Sequence, residues 1–318
     1  MLRQKAPIPA ARGSANGCER GRKGLIGCSK APARCHGPEK QKADLRLDSR
    51  ELALADWLVS ERNPLTARVL VNRVWQSHFG EGLVATPNDF GHAGARPSNP
   101  ELLDFLAREF VRGGWSLKKL HRLIVTSAAY QRAAPARRLT AEALRDSMLA
   151  VAGRLTPCEG GPPVWPELPA EVLQASPATL DDNAEKTKGW YPSPPEKLGV
   201  RSIYLVQKRG LRVPWMETFD QPDNSTSCAR RTVSTVAPQA LTLLNSPFAT
   251  DMANAFAARV QREAGDHPAA QIDRAFALAL QRPPDDAERA SCIRFRAERS
   301  LPELCRALLN LNEFAYRD

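Results

Sequence analysis

The polar segment between Asp220 and Gln239 holds most of the side chains in this sequence that could carry chemistry. It combines carboxylates, guanidiniums, hydroxyls, amides and a thiol: Asp220, Asp223, Asn224, Cys228, Arg230, Arg231, Ser234, Thr235 and Gln239. Guanidinium forks pair with carboxylates, phosphates and hydroxyl-rich groups, so this segment could bind an anionic or polyhydroxylated ligand. Asp220 and Asp223 could also hold calcium, but their spacing is not that of a recognised calcium loop. We favour the structural alternative, in which a pair between Asp220 and Arg231 orders the loop.

A second group of polar residues lies on predicted helices. Arg68 and Asn72 are four residues apart on a helix that carries apolar side chains on every side, which predicts that both are buried and hydrogen-bonded. His78 ends the same helix, and His121 falls on the apolar stripe of a later one. For both histidines we favour a core role over a role as ligand or base, while keeping them as candidate ligand-binding residues.

The common catalytic and metal-binding motifs are missing from the sequence. It contains no H-E-x-x-H, C-x-x-C, G-x-S-x-G or Gly-rich phosphate loop, and no two histidines lie close together along the chain. We therefore predict no metal site. The seven cysteines are scattered, which favours free thiols. We expect Cys228 to be the most reactive cysteine, because Arg230 and Arg231 follow it closely and neighbouring cations lower the pKa of a thiol.

Helical periodicity and capping residues dominate the chain from about residue 49. They predict helices over 51–60, 64–79, 101–112, from Ser116, from Thr140, and over 238–245, 248–263, 269–281, 285–299 and 302–312. Residues 156–199 are rich in proline and predict a long irregular loop. The segment 201–208 has the period of a strand, with Ile203 and Leu205 facing the core. The fold class predicted is mainly α with a short β element near 201–207, as one domain over residues 44–318.

The net charge of +10 belongs mostly to the first fifty residues, which hold 12 Lys or Arg against 4 Asp or Glu. We interpret residues 1–43 as a disordered basic tail that could bind anions nonspecifically, or simply remain solvated. The first 27 residues lack the apolar stretch of about 7–15 residues that a secretory signal needs, so the chain as written is expected in the cytoplasm. No apolar run approaches the roughly 18 residues of a membrane-spanning helix.

Several segments together resemble the C-terminal domain of large cytochrome-associated proteins of planctomycete bacteria, a PSD-type domain of unknown function. They are 54–57 (LADW), 63–69 (NPLTARV), 72–75 (NRVW), 78–80 (HFG), 87–91 (PNDFG), 100–104 (PELLD), 114–127 (GWSLKKLHRLIVTS), 219–220 (FD), 230–231 (RR), 234–235 (ST), 238–241 (PQAL) and 310–314 (NLNEF). The similarity runs from about residue 50 to the C-terminus. The resemblance implies that the relatives are exported to the cell envelope, but it does not imply any particular reaction.

A shorter resemblance concerns haem. Cys35 and His36 are similar to the end of the haem-attachment motif C-x-x-C-H in the cytochrome domain of those relatives. Here Pro32 stands where the first thiol should be, and Cys28 is too distant to replace it. The resemblance therefore implies a degraded remnant in a truncated chain, and we expect no haem or other cofactor.

Two classes of function stay open at this point. One is a noncatalytic binding or scaffold module of an envelope protein, with an envelope protein or a polysaccharide as partner. The other is an enzyme acting on a polysaccharide or other polymer, with the Asp220–Gln239 segment and Arg68 and Asn72 near its cleft. A role in nucleic-acid binding comes third and depends on the basic tail alone.

Overall fold

A computed structural model describes residues 49–132, 137–158, 160–175 and 189–317 of the chain. The predicted tail 1–43 and the Cys35–His36 remnant lie outside these residues. The first part of the fold contains α1 (Ser49–Val59), α2 (Thr66–Phe79), α3 (Pro100–Arg112), α4 (Leu117–Val125) and α5 (Ala128–Gln131).

The second part begins with a two-residue strand, β1 (Arg137–Arg138). It continues with α6 (Ala141–Val151), α7 (Ala170–Gln174), α8 (Pro214–Thr218), α9 (Ala237–Asn245), α10 (Pro247–Ala264), α11 (Pro268–Ala279), α12 (Asp286–Glu298), α13 (Leu301–Leu309), α14 (Asn312–Ala315) and β2 (Tyr316–Arg317). Single 3₁₀ turns cover Pro195–Lys197 and Ser202–Tyr204. The prediction of a mainly α protein is confirmed.

The helices enclose two separate hydrophobic cores. In the first, α2, α3 and α4 pack around Val71, Leu103 and Ile124, all of them almost completely buried. In the second, α10 packs against α13, and the most buried large side chains include Phe256 and Met148. Each such side chain contributes about 1.5–3 kcal/mol by leaving water. The residues between α5 and α6 link the two cores.

Most helix ends lie where the capping residues predicted them. The Asn99 side chain accepts a hydrogen bond from the Leu102 N–H, so it caps α3, and Ser116 and Thr140 cap α4 and α6 in the same way. Gly80 ends α2 with a φ of 86°, a left-handed conformation that favours glycine. This turn redirects the chain into the loop of residues 81–98.

The β structure differs from the prediction in position. The strand expected over 201–208 is replaced by a 3₁₀ turn, and Leu205 alone forms a parallel bridge with Val164. Ile203, expected in the core, is 76% exposed. Over the described residues, the ladder is instead the antiparallel pair of β1 and β2, in which Arg138 lies opposite Tyr316.

The proline-rich segment 156–199, predicted as an irregular loop, contains the short helix α7 and one 3₁₀ turn where it is described, and it packs on the second core. Trp190 is buried, stands edge-on to Trp165 at 5.0 Å between ring centroids, and donates its indole N–H to the Pro166 carbonyl. Buried tryptophans usually find such a partner for the indole N–H. None of the described helices has the length and apolar character needed to cross a membrane.

Candidate functional site

Asp220 is the centre of a buried polar network. It follows α8 with a φ of 61°, and its Oδ2 accepts a hydrogen bond from Arg138 Nη2 at 2.5 Å. The same carboxylate accepts hydrogen bonds from the backbone N–H and the hydroxyl of Ser234, both at 2.8 Å, and from the Gln239 amide. The Arg138 side chain is 4% exposed and that of Asp220 is 20% exposed. The predicted Asp–Arg network therefore exists.

The predicted pair of Asp220 with Arg231 is wrong. Arg231 donates instead to Glu142 on α6 at 2.7 Å, and its side chain is 43% exposed. Burial alone would raise the pKa of Glu142, but hydrogen bonds from Arg231 and other donors outweigh that effect and leave the pKa lowered. The pair was misassigned because Arg138 lies 82 residues before Asp220 in the sequence, beyond any local pattern.

The remainder of the polar segment is exposed, and its hydrogen bonds go partly to itself and partly to other elements, since Ser227 accepts from Asn88 of the loop 81–98. Asp223 accepts hydrogen bonds from the Ser225 hydroxyl and backbone N–H, which lower the pKa of its carboxyl. Cys228 is exposed and its thiol donates to the Arg230 carbonyl. Within the described ranges, no three His, Cys, Asp or Glu side chains lie together as a metal site would require.

Arg68 and Asn72 belong to the first core. The Arg68 side chain is half-buried and donates to Asp104 at 2.6 Å, so the prediction of full burial holds only for Asn72, which is 0% exposed. Arg68, Asp220 and Arg231 thus have three separate sets of partners.

The two candidate histidines meet, which their separation in sequence did not reveal. His78 Nε2 and His121 Nδ1 are 2.7 Å apart, and the rings stand edge to face with centroids 5.0 Å apart. His121 is exposed, so its predicted core position is wrong. Tyr130 packs edge-on against His78. The pair can share a single proton, one imidazole donating and the other accepting.

An open cleft of about 480 Å³ lies between the end of α2 and the loop 81–98. Trp75 and Phe79 stack along it with ring centroids 4.1 Å apart and an interplanar angle of 24°. The cleft is lined by the two aromatic rings, a small apolar floor and a polar rim. The lining residues include Trp75, Phe79, Leu83, Glu81, Arg96 and Ser98. Glu81 and Arg96 are exposed, and neither side chain has a hydrogen bond or ion pair with a residue that the structure describes.

The floor of this cleft is fixed by Asn72. Its amide donates to the Val84 carbonyl at 3.0 Å and accepts from the Val84 N–H at 2.8 Å, while Ser98 N–H donates to the Leu83 carbonyl. A Cβ on Gly82 would lie 2.6 Å from the Asn72 amide nitrogen, so only glycine fits there. The buried amide therefore holds the loop against α2.

Comparison with known proteins identifies the family. The sequence model of PSD1, described as a protein of unknown function (DUF1553), matches residues 50–137 and 132–296. The chain belongs to the PSD1 family. No curated protein and no solved structure matches it.

The PSD1 match agrees with the division of the fold. Its two segments meet at residues 132–137, between the first core and the second. The first segment contains the aromatic cleft and the histidine pair, and the second contains the Asp220 network.

Another open cleft, of about 690 Å³, lies beside α11 and α12 in the second core of this PSD1 chain. Its charged residues are already paired: Arg282 is held by Glu288 and Glu313, and Arg289 by Asp273. The hydrogen bond from Arg282 lowers the pKa of Glu288 to about 2. This cleft therefore offers a ligand fewer unengaged groups than the one beside Trp75.

The cleft at Trp75 was not predicted from the sequence, although the spacing of its two aromatic residues is visible there. Trp75 and Phe79 have the i, i+4 spacing of neighbours on one helix face. The apolar residues around all of α2 suggested burial, yet both rings are only half-buried. Residues of the loop 81–98 line the other side of the cleft, and a helical pattern cannot predict the path of that loop.

Proposed function

We propose that this chain is a noncatalytic binding module whose ligand site is the cleft beside Trp75 and Phe79. The observation that carries the proposal is the combination of a stacked aromatic pair with two rim charges, Glu81 and Arg96, that lack partners within the described part of the chain. Ligand sites are typically concave, lined by aromatic side chains and completed by a few polar groups. The setting in a cell-envelope protein comes from the resemblance to planctomycete relatives.

The polar segment 220–239 fits a structural role better than a catalytic one. The Asp220 oxygens already accept hydrogen bonds from Arg138, Ser234 and Gln239. A carboxylate that acts as a nucleophile or base must offer an oxygen to the substrate. Asp220 would have to break part of its network first.

The proposal is tested by ligand-observed NMR with three classes of soluble probe: neutral oligosaccharides, short peptides and nucleotides. The wild type is compared with Trp75→Ala, and Trp57→Ala is the matched control because Trp57 is 49% exposed on α1 and does not line the cleft. We expect at least one class to bind the wild type and the control, and to lose binding in Trp75→Ala.

Two results would contradict the proposal. If binding of every probe is independent of Trp75, the cleft is not the ligand site. If a bound probe is converted to product during prolonged incubation, the module is an enzyme, as in the alternative function that the sequence left open.

A further inference from the structure

We propose that His78 and His121 form a pH-sensitive clasp, closed at neutral pH and opened in acid, which controls how Tyr130 packs on the aromatic wall of the Trp75 cleft. The clasp itself stands on the geometry of the two imidazoles. Its role in regulating the cleft rests on the proposed function of that cleft as the ligand site.

The two facing nitrogens of the clasp have room for one proton between them. His78 Nε2 and His121 Nδ1 are 2.7 Å apart, so one imidazole donates a hydrogen bond and the other accepts it. This bond forms when both rings are neutral and also when one of them is protonated. Once both are protonated, each facing nitrogen carries a hydrogen, the bond is lost and two positive charges repel each other. Turning a ring over does not help, because both nitrogens of an imidazolium are donors.

Acidification supplies the second proton, since histidine changes its charge between about pH 5 and 8. Charged groups on the elements around the pair include Lys118 and Arg122 on α4, Arg137 on β1, Glu81 after α2, and Asp104 and Glu109 on α3. The two α3 carboxylates are bonded to arginines, and Arg137 donates to the His78 carbonyl. The cations add to the repulsion between the imidazoles, and Glu81 reduces it. Because the closed clasp holds fewer protons than two separated imidazoles, opening is favoured as the pH falls.

Tyr130 connects the clasp to the cleft. Its ring stands edge-on to His78, with centroids 5.5 Å apart, and edge-on to Phe79, with centroids 5.9 Å apart. The short helix α5 has no buried residue, and Tyr130 is its residue that packs against the first core. Movement of the His78 ring therefore removes one of the two ring contacts that hold Tyr130 in place, and the tyrosine is freed to leave Phe79.

Urea unfolding at pH 7.5 and pH 5.0 tests the clasp in the wild type, in His121→Gln and in the control His92→Gln. A glutamine amide both donates and accepts, so at position 121 it can bond to His78 whether that ring is neutral or protonated. His121 is exposed, so its variant should fold, and His92 is an exposed histidine of the loop 81–98. Between the two pH values, we expect the unfolding equilibrium constant to rise about five- to tenfold more in the wild type and the control than in His121→Gln.

Fluorine NMR of protein labelled with fluorotyrosine tests the connection to the cleft wall without any ligand. The chain has four tyrosines, and Tyr130→Phe identifies the Tyr130 signal. In the wild type we expect this signal to move between pH 7.5 and pH 5.0 towards the position of free fluorotyrosine. In His121→Gln it should stay close to its position at neutral pH.

Two results would overturn the inference. Equal pH dependence of unfolding in the wild type and His121→Gln would mean that the two histidines do not act as a clasp. A wild-type Tyr130 signal that keeps its neutral position at pH 5.0 would mean that the clasp does not control the cleft wall. Neither measurement contains a probe for the cleft, so either failure is distinct from a failure of the proposed function, which is judged by Trp75-dependent binding.

Discussion

Arg138 is the cationic partner of Asp220, and replacing it provides the most direct test of the polar network. Its guanidinium donates to the carboxylate at 2.5 Å and lies over the Phe219 ring, 5.5 Å from the centroid. Because the arginine side chain is 4% exposed and the aspartate 20%, water cannot readily replace this contact. We expect Arg138→Met, which removes the charge while keeping much of the volume, to destabilise the protein.

The size of the effect follows from three contributions. Breaking a buried ion pair by removing one partner costs about 3–5 kcal/mol. Asp220 keeps its bonds from Ser234 and Gln239, which reduces the loss. Arg138 also buries Nε and Nη1 without a hydrogen-bond partner among the described residues, and methionine removes that penalty. We therefore expect a net loss of about 2–3 kcal/mol, a large part of a typical stability of about 5–15 kcal/mol.

Urea unfolding followed by circular dichroism measures this loss as a lower midpoint. Arg231→Met is the matched control, since it removes an arginine from the same region. Its partner is Glu142, and its side chain is 43% exposed. A pair this exposed contributes under about 1 kcal/mol, so the midpoint of the control should change little.

The reasoning is refuted if Arg138→Met unfolds at the wild-type midpoint, or if Arg231→Met loses as much stability as Arg138→Met. The first result would mean that the attraction between Arg138 and Asp220 only balances the cost of removing the two charges from water. The second would mean that the Glu142 contact, and not the Asp220 network, holds the loop in place.

Three other predictions can be checked on the same protein. Asn72→Ala leaves the buried N–H and carbonyl of Val84 without partners, which at about 1–3 kcal/mol each should cost about 2–6 kcal/mol in urea unfolding. The pKa of Glu288 is lowered in the folded state from 4.5 to about 2. Its stabilising contribution is therefore complete above about pH 4.5 and is lost as the pH falls through about 2. Melting curves should show that Glu288→Gln loses less stability than the wild type over this acid range. Burial raises the pKa of the Cys305 thiol to about 12, whereas Cys228 is exposed, so iodoacetamide at neutral pH followed by peptide mapping should label Cys228 and spare Cys305 until the protein unfolds.

The helices were predictable because their signals are local. Asn99 before Pro100 and Ser116 before α4 cap helices through bonds that span only three residues, and Gly80 provides the left-handed turn after α2. The strand over 201–208 was wrong because a strand also needs a partner. Val164 supplies a bridge to Leu205 alone, so the alternating pattern there never becomes a ladder.

The candidate site was harder to predict because its contacts are distant in sequence. His78 and His121 are 43 residues apart, and each has a plausible core position when its own helix is considered alone. The polar segment was recognised as an Asp–Arg network from composition, but its arginine was misassigned. Arg231 lies 11 residues from Asp220 and Arg138 lies 82, and no local pattern in the sequence shows which of them pairs with the aspartate. The cleft depends on a loop whose path is set by Asn72, a single buried amide.

β1 explains how the two cores are held together although it is only two residues long. Successive side chains of a strand point in opposite directions. Arg137 donates to the carbonyls of Ser77 and His78 in the last turn of α2, whereas Arg138 donates to Asp220 under the polar loop. Pairing with β2 fixes this alternation, since Arg138 lies opposite Tyr316. The end of α2 that carries Phe79 is therefore bonded, through adjacent arginines, to the network of the second core, and this connection lies where the two segments matched by the PSD1 family meet.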